Sequence, residues 1–95
     1  MTLEWSVLAI ADRTAVFDYI EADSRPAAIV IDDRIEAAVE GLIHHPQMGR
    51  PGRIEGTREL VIARTPYIAA YRIAGSVIRI LRVLHGAQQW PDEVQ

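Results

Sequence analysis

Arginine and histidine are the residues of this sequence that could do chemistry on an anionic group. Seven arginines lie between residues 46 and 85, against only two acidic residues, Glu55 and Glu59. Arginine presents a planar guanidinium that can bind phosphate or carboxylate through two parallel hydrogen bonds. His85 closes the last apolar stretch, and an imidazole with an ordinary pKa of about 6.5 could act there as a general acid or base. The pattern therefore favours an anionic partner, either nucleic acid or an acidic protein segment.

The other candidates for catalysis or metal binding are weaker. His44 and His45 fall at the predicted end of a helix, where an imidazolium suits the negative end of the helix dipole. Adjacent side chains point apart and no carboxylate stands at ligand spacing, so we expect no metal and no cofactor. The chain has no cysteine, which excludes disulfides and cysteine-bound zinc. His85 is equally consistent with a capping or hydrogen-bonding role.

The charge of the chain is divided unequally along its length. Residues 1–45 carry nine acidic residues and three arginines, and residues 46–85 reverse that balance, within a net charge of −3 over 95 residues. All ten basic residues are arginine. No apolar stretch approaches the roughly 18 residues of a membrane span, and the N-terminus lacks the features of a signal peptide. We therefore expect a single cytoplasmic domain over residues 1–95 that does not enter a membrane.

The periodicity of apolar residues predicts an α+β domain in which a hairpin of two antiparallel helices precedes a sheet. The predicted elements are a short strand at residues 1–7, the helix hairpin at 9–44, a loop at 45–57, a three-stranded antiparallel β-meander at 58–85 and a tail at 86–95. Asp23 or Ser24 is expected to cap the second helix, with Pro26 in its first turn. Gly75 and Ser76 predict a tight turn between the last two strands.

The arginines of the predicted sheet are spread over three strands. They are Arg58, Arg64, Arg72, Arg79 and Arg82. Strict alternation of side chains puts Arg79 and Arg82 on opposite faces, so the sequence does not gather all five into one patch. Tyr67 and Tyr71 could stack on bases, although aromatic residues in strands more often belong to the core. Glu59 is expected to form a surface salt bridge with a neighbouring arginine.

The stretch GRPGRIEG is predicted to be a stiff, exposed loop that presents Arg50 and Arg53 beside the sheet. It is not a phosphate-binding loop, because it has no lysine and a strand rather than a helix follows it. Trp90 stands in an otherwise polar tail. We expect it either to anchor a partner protein or to pack back over Trp5 or the helices.

Three stretches of the chain resemble the toxin of a bacterial type II toxin–antitoxin pair. They read GRPGRIEGTREL, TPYIAAYRI and VIRILRVLHGAQQWP, and the helical AVFDYIEADSRPAA matches as well. The resemblance is to the RelE/ParE superfamily, in particular its ParE-like plasmid-stabilisation branch, and it covers nearly the whole chain. It implies the RelE/ParE-like toxin fold. It also implies a cognate antitoxin whose extended or helical C-terminal segment wraps the toxin.

The superfamily resemblance implies one of two activities. ParE-like members inhibit DNA gyrase and are not expected to be nucleases, whereas RelE-like members cut mRNA on the ribosome. A nuclease would use His85 as its catalytic group, with Arg58 and Arg82 as cations. However, Ile68 stands where those nucleases carry an arginine, and the tail at residues 86–89 is neither basic nor aromatic.

The resemblance therefore favours a toxin that inhibits gyrase and is not itself an enzyme. The residues expected to bind the partner or target are Arg50, Arg53, Arg58, Arg64, Arg72, Arg82 and Trp90. The alternative is a ribosome-dependent mRNA endoribonuclease. A further alternative is an inactive toxin homologue that only binds antitoxin.

Overall fold

Two α-helices cover one face of a five-stranded sheet in the computed structural model, which describes residues 1–91. The strands are β1 (Thr2–Trp5), β2 (Arg50–Pro51), β3 (Arg58–Val61), β4 (Tyr67–Ala74) and β5 (Val77–His85), and the helices are α1 (Val7–Glu21) and α2 (Arg25–Glu40). The order across the sheet is β1-β5-β4-β3-β2, and every pair of neighbours is antiparallel except β1 and β5. The predicted α+β class is confirmed.

Serine caps start both helices. The hydroxyl of Ser6 accepts the N–H of Ala9 at 3.0 Å, and the hydroxyl of Ser24 accepts the N–H of Ala27 at 3.2 Å. Because Ser6 is a helix cap, residue 7 begins α1 instead of ending the first strand as predicted. After α2 the chain tightens into a 3₁₀ turn at Gly41–Ile43, close to the predicted end of the hairpin.

The sheet is wider than the predicted three-stranded meander. β3, β4 and β5 form that meander, β1 joins it in parallel beside β5, and β2 joins it beside β3. β2 lies within the segment predicted as a loop, where Arg50 pairs with Glu59. The backbone after β2 passes close to Thr57 at Gly52. Only glycine fits at this position, because a Cβ atom there would lie 2.2 Å from the hydroxyl oxygen of Thr57.

A β-bulge in β5 changes which side chains share a face. The register with β4 pairs Arg79 with Arg72 and Arg82 with Ala70, which leaves Leu81 as an extra residue. Arg72 and Ala70 are two residues apart on one strand, so they lie on the same face, and directly opposed residues share a face as well. Arg79 and Arg82 therefore lie on one face, and the prediction from strict alternation was wrong.

The helix-covered face of the sheet supplies the core. Its buried residues are Leu60, Ile62, Tyr67, Ala69, Tyr71, Ile78, Ile80 and Val83, packed with Ala9, Ile35, Val39 and Leu42 from the helical segments. Tyr71 is fully buried, and its hydroxyl accepts the N–H of Gly49 at 2.9 Å and donates to the carbonyl of Pro46 at 2.7 Å. Burial raises the pKa of Tyr71. The expectation that both tyrosines belong to the core is confirmed.

Candidate functional site

Arginines from several strands gather on the sheet face opposite the helices, and we call it the helix-free face. By the strand register it carries Glu4, Arg50, Glu59, Ile68, Ala70, Arg72, Arg79 and Leu84. The side chain of Arg82 starts on the same face, but its guanidinium turns to Asp12 of α1. Arginines from three strands therefore meet on one surface. Since planar guanidinium groups bind phosphate and carboxylate, this face can take an anionic partner.

A buried carboxylate organises the loop that borders this face. Glu59 is only 2% exposed, and its oxygens lie 3.2 Å from Nη2 of Arg50 and 3.5 Å from Nε of Arg53. The backbone N–H of Arg53 also donates to Glu59 at 2.8 Å. The prediction of a surface salt bridge was therefore wrong about the carboxylate, which is buried, although the arginines themselves remain largely exposed. Hydrogen bonds and two guanidinium groups compensate its burial.

The C-terminal tail crosses the helix-free face through Trp90. The guanidinium carbon of Arg53 lies 4.0 Å from the centroid of the indole ring, within the range of a cation–π interaction. The indole N–H donates to the carbonyl of His85 at 3.3 Å. A side chain held at these two points lies between Arg53 and the end of β5. Trp90 thus packs back on the sheet, not on Trp5 or the helices.

Arg82 is bound by a carboxylate from α1. Its Nε and Nη2 donate to the two oxygens of Asp12 at 2.7 and 2.9 Å, a bidentate fork. The N–H of Val83 donates to the same carboxylate at 3.0 Å. Hydrogen bonding to Asp12 raises the pKa of Arg82, although burial acts in the opposite direction. Arg82 therefore fixes α1 against β5.

His85 holds the start of the tail. Its Nδ1 accepts the N–H of Ala87 at 3.0 Å, and its backbone N–H donates to Oε1 of Gln88 at 2.8 Å. Since Nδ1 accepts, a neutral imidazole carries its proton on Nε2. The ring packs edge-on against Tyr67, with centroids 5.6 Å apart. The imidazole thus anchors the tail and has one nitrogen left for chemistry.

Arg58 and Arg64 lie away from the helix-free face. Arg58 is opposite Tyr71 on the helix-covered side, where its Nη1 donates to the carbonyl of Gly49 at 2.8 Å. Arg64 is in the turn between β3 and β4, with a left-handed φ of 62°, and its carbonyl accepts a hydrogen bond from Arg34. The prediction that Arg64 belongs to a strand was wrong, because β3 ends at Val61.

The three residues of the nuclease hypothesis do not converge. Arg58 lies on β3 and Arg82 on β5, and β4 separates the two strands. Arg82 and His85 do line one open pocket of about 270 Å³, together with Asp12 and Tyr67. Asp12 already neutralises the guanidinium in that pocket.

Arg72 and Arg79 form a cross-strand pair of like charges on the helix-free face. Arg79 has an ion pair with Glu4 of β1. Arg72 has no acidic partner among residues 1–91. Directly opposed like charges repel, so an incoming anion at this point would relieve the repulsion.

Sequence reasoning missed the roles of two acidic residues. Asp12 was not named as a site residue, and Glu59 was not expected to be buried. Each makes contacts with residues brought close only by the fold, from 70 residues away in the case of Asp12 and Arg82. Within residues 1–91 no group of three His, Cys, Asp or Glu side chains could hold a metal ion. No helix in the same part of the chain has the length and hydropathy needed to cross a membrane.

Comparison with known proteins assigns this architecture to a class. Residues 3–90 match the family model described as the ParE toxin of the type II toxin–antitoxin system parDE. The chain is 46% identical to the protein named toxin Y4kP of Sinorhizobium fredii, over 95% of this chain and 93% of that protein. It is 36% identical to Toxin RelE2 of Caulobacter vibrioides, over 88% of this chain and 93% of the relative.

A solved structure described as the chromosomal ParDE TA system from P. aeruginosa has the same fold. It superposes with a TM-score of 0.80 at 32% identity, covering 90% of this chain and 95% of that one. The fold and the site thus define a toxin of a type II toxin–antitoxin system. Within that class, the chain belongs to the ParE toxin family of the RelE/ParE superfamily.

Proposed function

We propose that this toxin arrests growth by inhibiting DNA gyrase, in the cytoplasm, and that a cognate antitoxin neutralises it as part of a plasmid-stabilisation system. The observation that carries the proposal is the state of Arg82. A ribonuclease needs a free cation beside its acid or base to stabilise the developing charge on phosphorus. Two of the five N–H donors of Arg82 are occupied by Asp12, whose carboxylate also balances its charge, and Arg58 donates to the backbone carbonyls of Gln47 and Gly49.

The helix-free face supports a role in protein binding. Arg50 and Arg53 expose their side chains there, and the half-buried ring of Trp90 lies against the guanidinium of Arg53. Arginine and tryptophan are the residues that most often dominate protein interfaces. An acidic segment of the antitoxin or of gyrase would complement the charge of this face and would be drawn to it on approach.

Ribosome-dependent mRNA cleavage is the second candidate function. It is favoured by the pocket that joins His85 to Arg82, and by Nε2 of the imidazole, which has no hydrogen-bond partner within residues 1–91. In that function His85 would transfer the proton. Arg82 would first have to be released from Asp12.

The test is a supercoiling assay with purified gyrase from the native host, relaxed plasmid and ATP, titrated with the toxin. We expect supercoiling to be inhibited and cleaved DNA to accumulate. The matched variant is His85→Asn, whose amide oxygen can still accept the N–H of Ala87 but cannot relay a proton. Gyrase inhibition should survive this substitution.

Two other outcomes of these assays would replace gyrase inhibition as the proposed function. If gyrase is unaffected at large toxin excess while mRNA is cut on ribosomes, and His85→Asn abolishes the cutting, the nuclease function replaces the proposal. If neither activity is found and cells expressing the toxin without antitoxin grow normally, the chain is an inactive homologue that binds antitoxin.

A further inference from the structure

The segment that follows β5 folds back on its own strand through a histidine. The N–H of Ala87 donates to Nδ1 of His85 at 3.0 Å, and the N–H of Gln88 donates to the carbonyl of His85 at 3.2 Å. In the other direction, the N–H of His85 donates to Oε1 of Gln88 at 2.8 Å. The N–H of Gly86 donates to the carbonyl of Pro66 at 2.8 Å, which fixes the start of the tail beside β4. We call residues 85–90 in this arrangement the tail latch.

The tail latch ends at Trp90. The indole N–H donates to the carbonyl of His85 at 3.3 Å, and the ring centroid lies 4.0 Å from the guanidinium carbon of Arg53. Because the ring is half-buried and has one contact of each kind, its closed position is held weakly. Arg53 in turn contacts the buried Glu59 through its backbone N–H and its Nε. The tail therefore joins His85 to the loop that precedes β3.

The contact between His85 and Ala87 depends on the protonation state of the imidazole. Nδ1 can accept the N–H of Ala87 only in the neutral ring, because both nitrogens of an imidazolium are donors. Turning the charged ring over would put a carbon atom in this place, which accepts no hydrogen bond either. Since histidine changes its charge between about pH 5 and 8, the contact is lost in this range as the pH falls.

The titratable and charged groups around the imidazole do not offset this effect. Tyr67 of β4 packs edge-on against the ring. Burial, with a smaller contribution from Tyr19 of α1, raises the pKa of Tyr67, so the phenol stays neutral between about pH 5 and 8. Asp12 of α1 and Arg82 of β5 line the same pocket, but they neutralise each other in their bidentate pair. Within residues 1–91, no other charged side chain lines that pocket.

We propose that the tail latch is a proton-operated switch, in which neutral His85 holds Trp90 against Arg53 and protonation of His85 releases the segment after β5. Release exposes the indole ring together with one face of the Arg53 guanidinium, on the helix-free face. The surface that the toxin offers to an anionic partner therefore differs between neutral and acidic conditions. The switch is a property of the toxin alone, so it holds whether or not gyrase is the target.

The experiment follows the fluorescence of Trp90 in the chain carrying Trp5→Phe, which leaves one tryptophan. The emission maximum and the quenching by acrylamide are measured between about pH 8 and 5, and the amide resonance of Ala87 is followed by NMR. As the pH falls, we expect the emission to shift to the red and the quenching constant to rise about twofold, because a half-buried ring becomes exposed. The Ala87 resonance should shift over the same range.

Two results of the titration would overturn the proposal. The first is an emission maximum, a quenching constant and an Ala87 resonance that all stay constant. The second is a shift at Ala87 with no change at Trp90, which would confine the effect to the histidine. Far-UV circular dichroism should stay constant through the transition, because only the tail is released. A loss of that signal at the same pH would mean that the domain unfolds, and it would also contradict the switch.

Two variants assign the transition to one histidine. In His85→Asn the amide oxygen can accept the N–H of Ala87 but does not titrate, so Trp90 should stay closed at every pH tested. The matched control replaces both His44 and His45 by asparagine, since both are exposed and neither lines the pocket around His85. The control should keep the full transition of the parent. A transition that persists in His85→Asn, or that disappears in the control, would assign it to another group and overturn the proposal.

Discussion

Asp12→Asn is expected to lower the free energy of unfolding by about 2–3 kcal/mol. The carboxylate accepts three hydrogen bonds, two from Arg82 and one from the N–H of Val83. The side chains of Asp12 and Arg82 are 15% and 20% exposed. Removing one partner of a fully buried ion pair costs about 3–5 kcal/mol, and an exposed pair contributes about 0–1 kcal/mol. The pair lies nearer the buried limit, and asparagine keeps one acceptor oxygen, which gives the intermediate value.

The assay is denaturant unfolding, supported by thermal melting. A loss of this size in a domain of about 100 residues should lower the Tm by about 10–20 °C. Asp18→Asn is the matched control, because Asp18 is an exposed carboxylate on the same helix without an ion pair among residues 1–91. It should change the stability by no more than about 0.5 kcal/mol.

A double-mutant cycle with Arg82→Gln isolates the interaction between the two side chains. We expect a coupling of at least about 1 kcal/mol, because the residues are in direct bidentate contact. If Asp12→Asn stays within about 0.5 kcal/mol of the parent, or the coupling is close to zero, the argument that Arg82 is a structural clamp fails. Arg82 would then be available for chemistry, and the support for gyrase inhibition over mRNA cleavage would weaken.

Two further predictions concern the hydrogen bonds of the Tyr71 hydroxyl and the space around two glycines, Gly52 and Gly41. Tyr71→Phe should cost about 1–2 kcal/mol at neutral pH, because two hydrogen bonds are lost. The pKa of Tyr71 is raised above its ordinary value of 10.0, chiefly by burial, so the unfolded phenol ionises first and stability falls as pH rises through that value. The gap between parent and variant should therefore narrow above about pH 10 in urea titrations, and a constant gap would contradict this. Gly52→Ala should destabilise by about 1–3 kcal/mol, because its Cβ would meet Thr57 at 2.2 Å. Gly41→Ala, with no atom within 4 Å and a helical backbone, should instead stabilise by about 0.4–1 kcal/mol, and the two melting temperatures must move in opposite directions.

The helices and most strands could be predicted because their signals are local. Ser24 caps α2 as expected, with Pro26 in the first turn of the helix. Gly75 adopts a φ of +60° in the turn between β4 and β5, a conformation that glycine adopts without strain. Such features depend on a few adjacent residues, so the sequence contains them directly.

The candidate site could be predicted only in its composition. The sequence shows that arginines are concentrated after residue 45, and Arg50 and Arg53 are exposed as expected. Their partners could not be predicted, because the Glu59 carboxylate is buried by strand pairing and Trp90 reaches Arg53 only when the tail folds back. The contact between Trp90 and Arg53 joins segments that are distant in the chain, and the burial of Glu59 requires the loop before β3 to fold over its carboxylate.

The sequence by itself determined the class of fold, the order of its elements apart from β2, the division of the chain into an acidic and a basic part, and the family that the chain resembles. Only the tertiary structure decided which side chains share a surface. The bulge at Leu81 brings Arg79 and Arg82 to one face, and the parallel pairing of β1 with β5 leaves Leu3 and Trp5 on an open edge. Periodicity fixes the side-chain pattern within a strand, but a single extra residue reverses the faces beyond it. Register and strand order follow from the packing of the whole domain, which no local pattern contains.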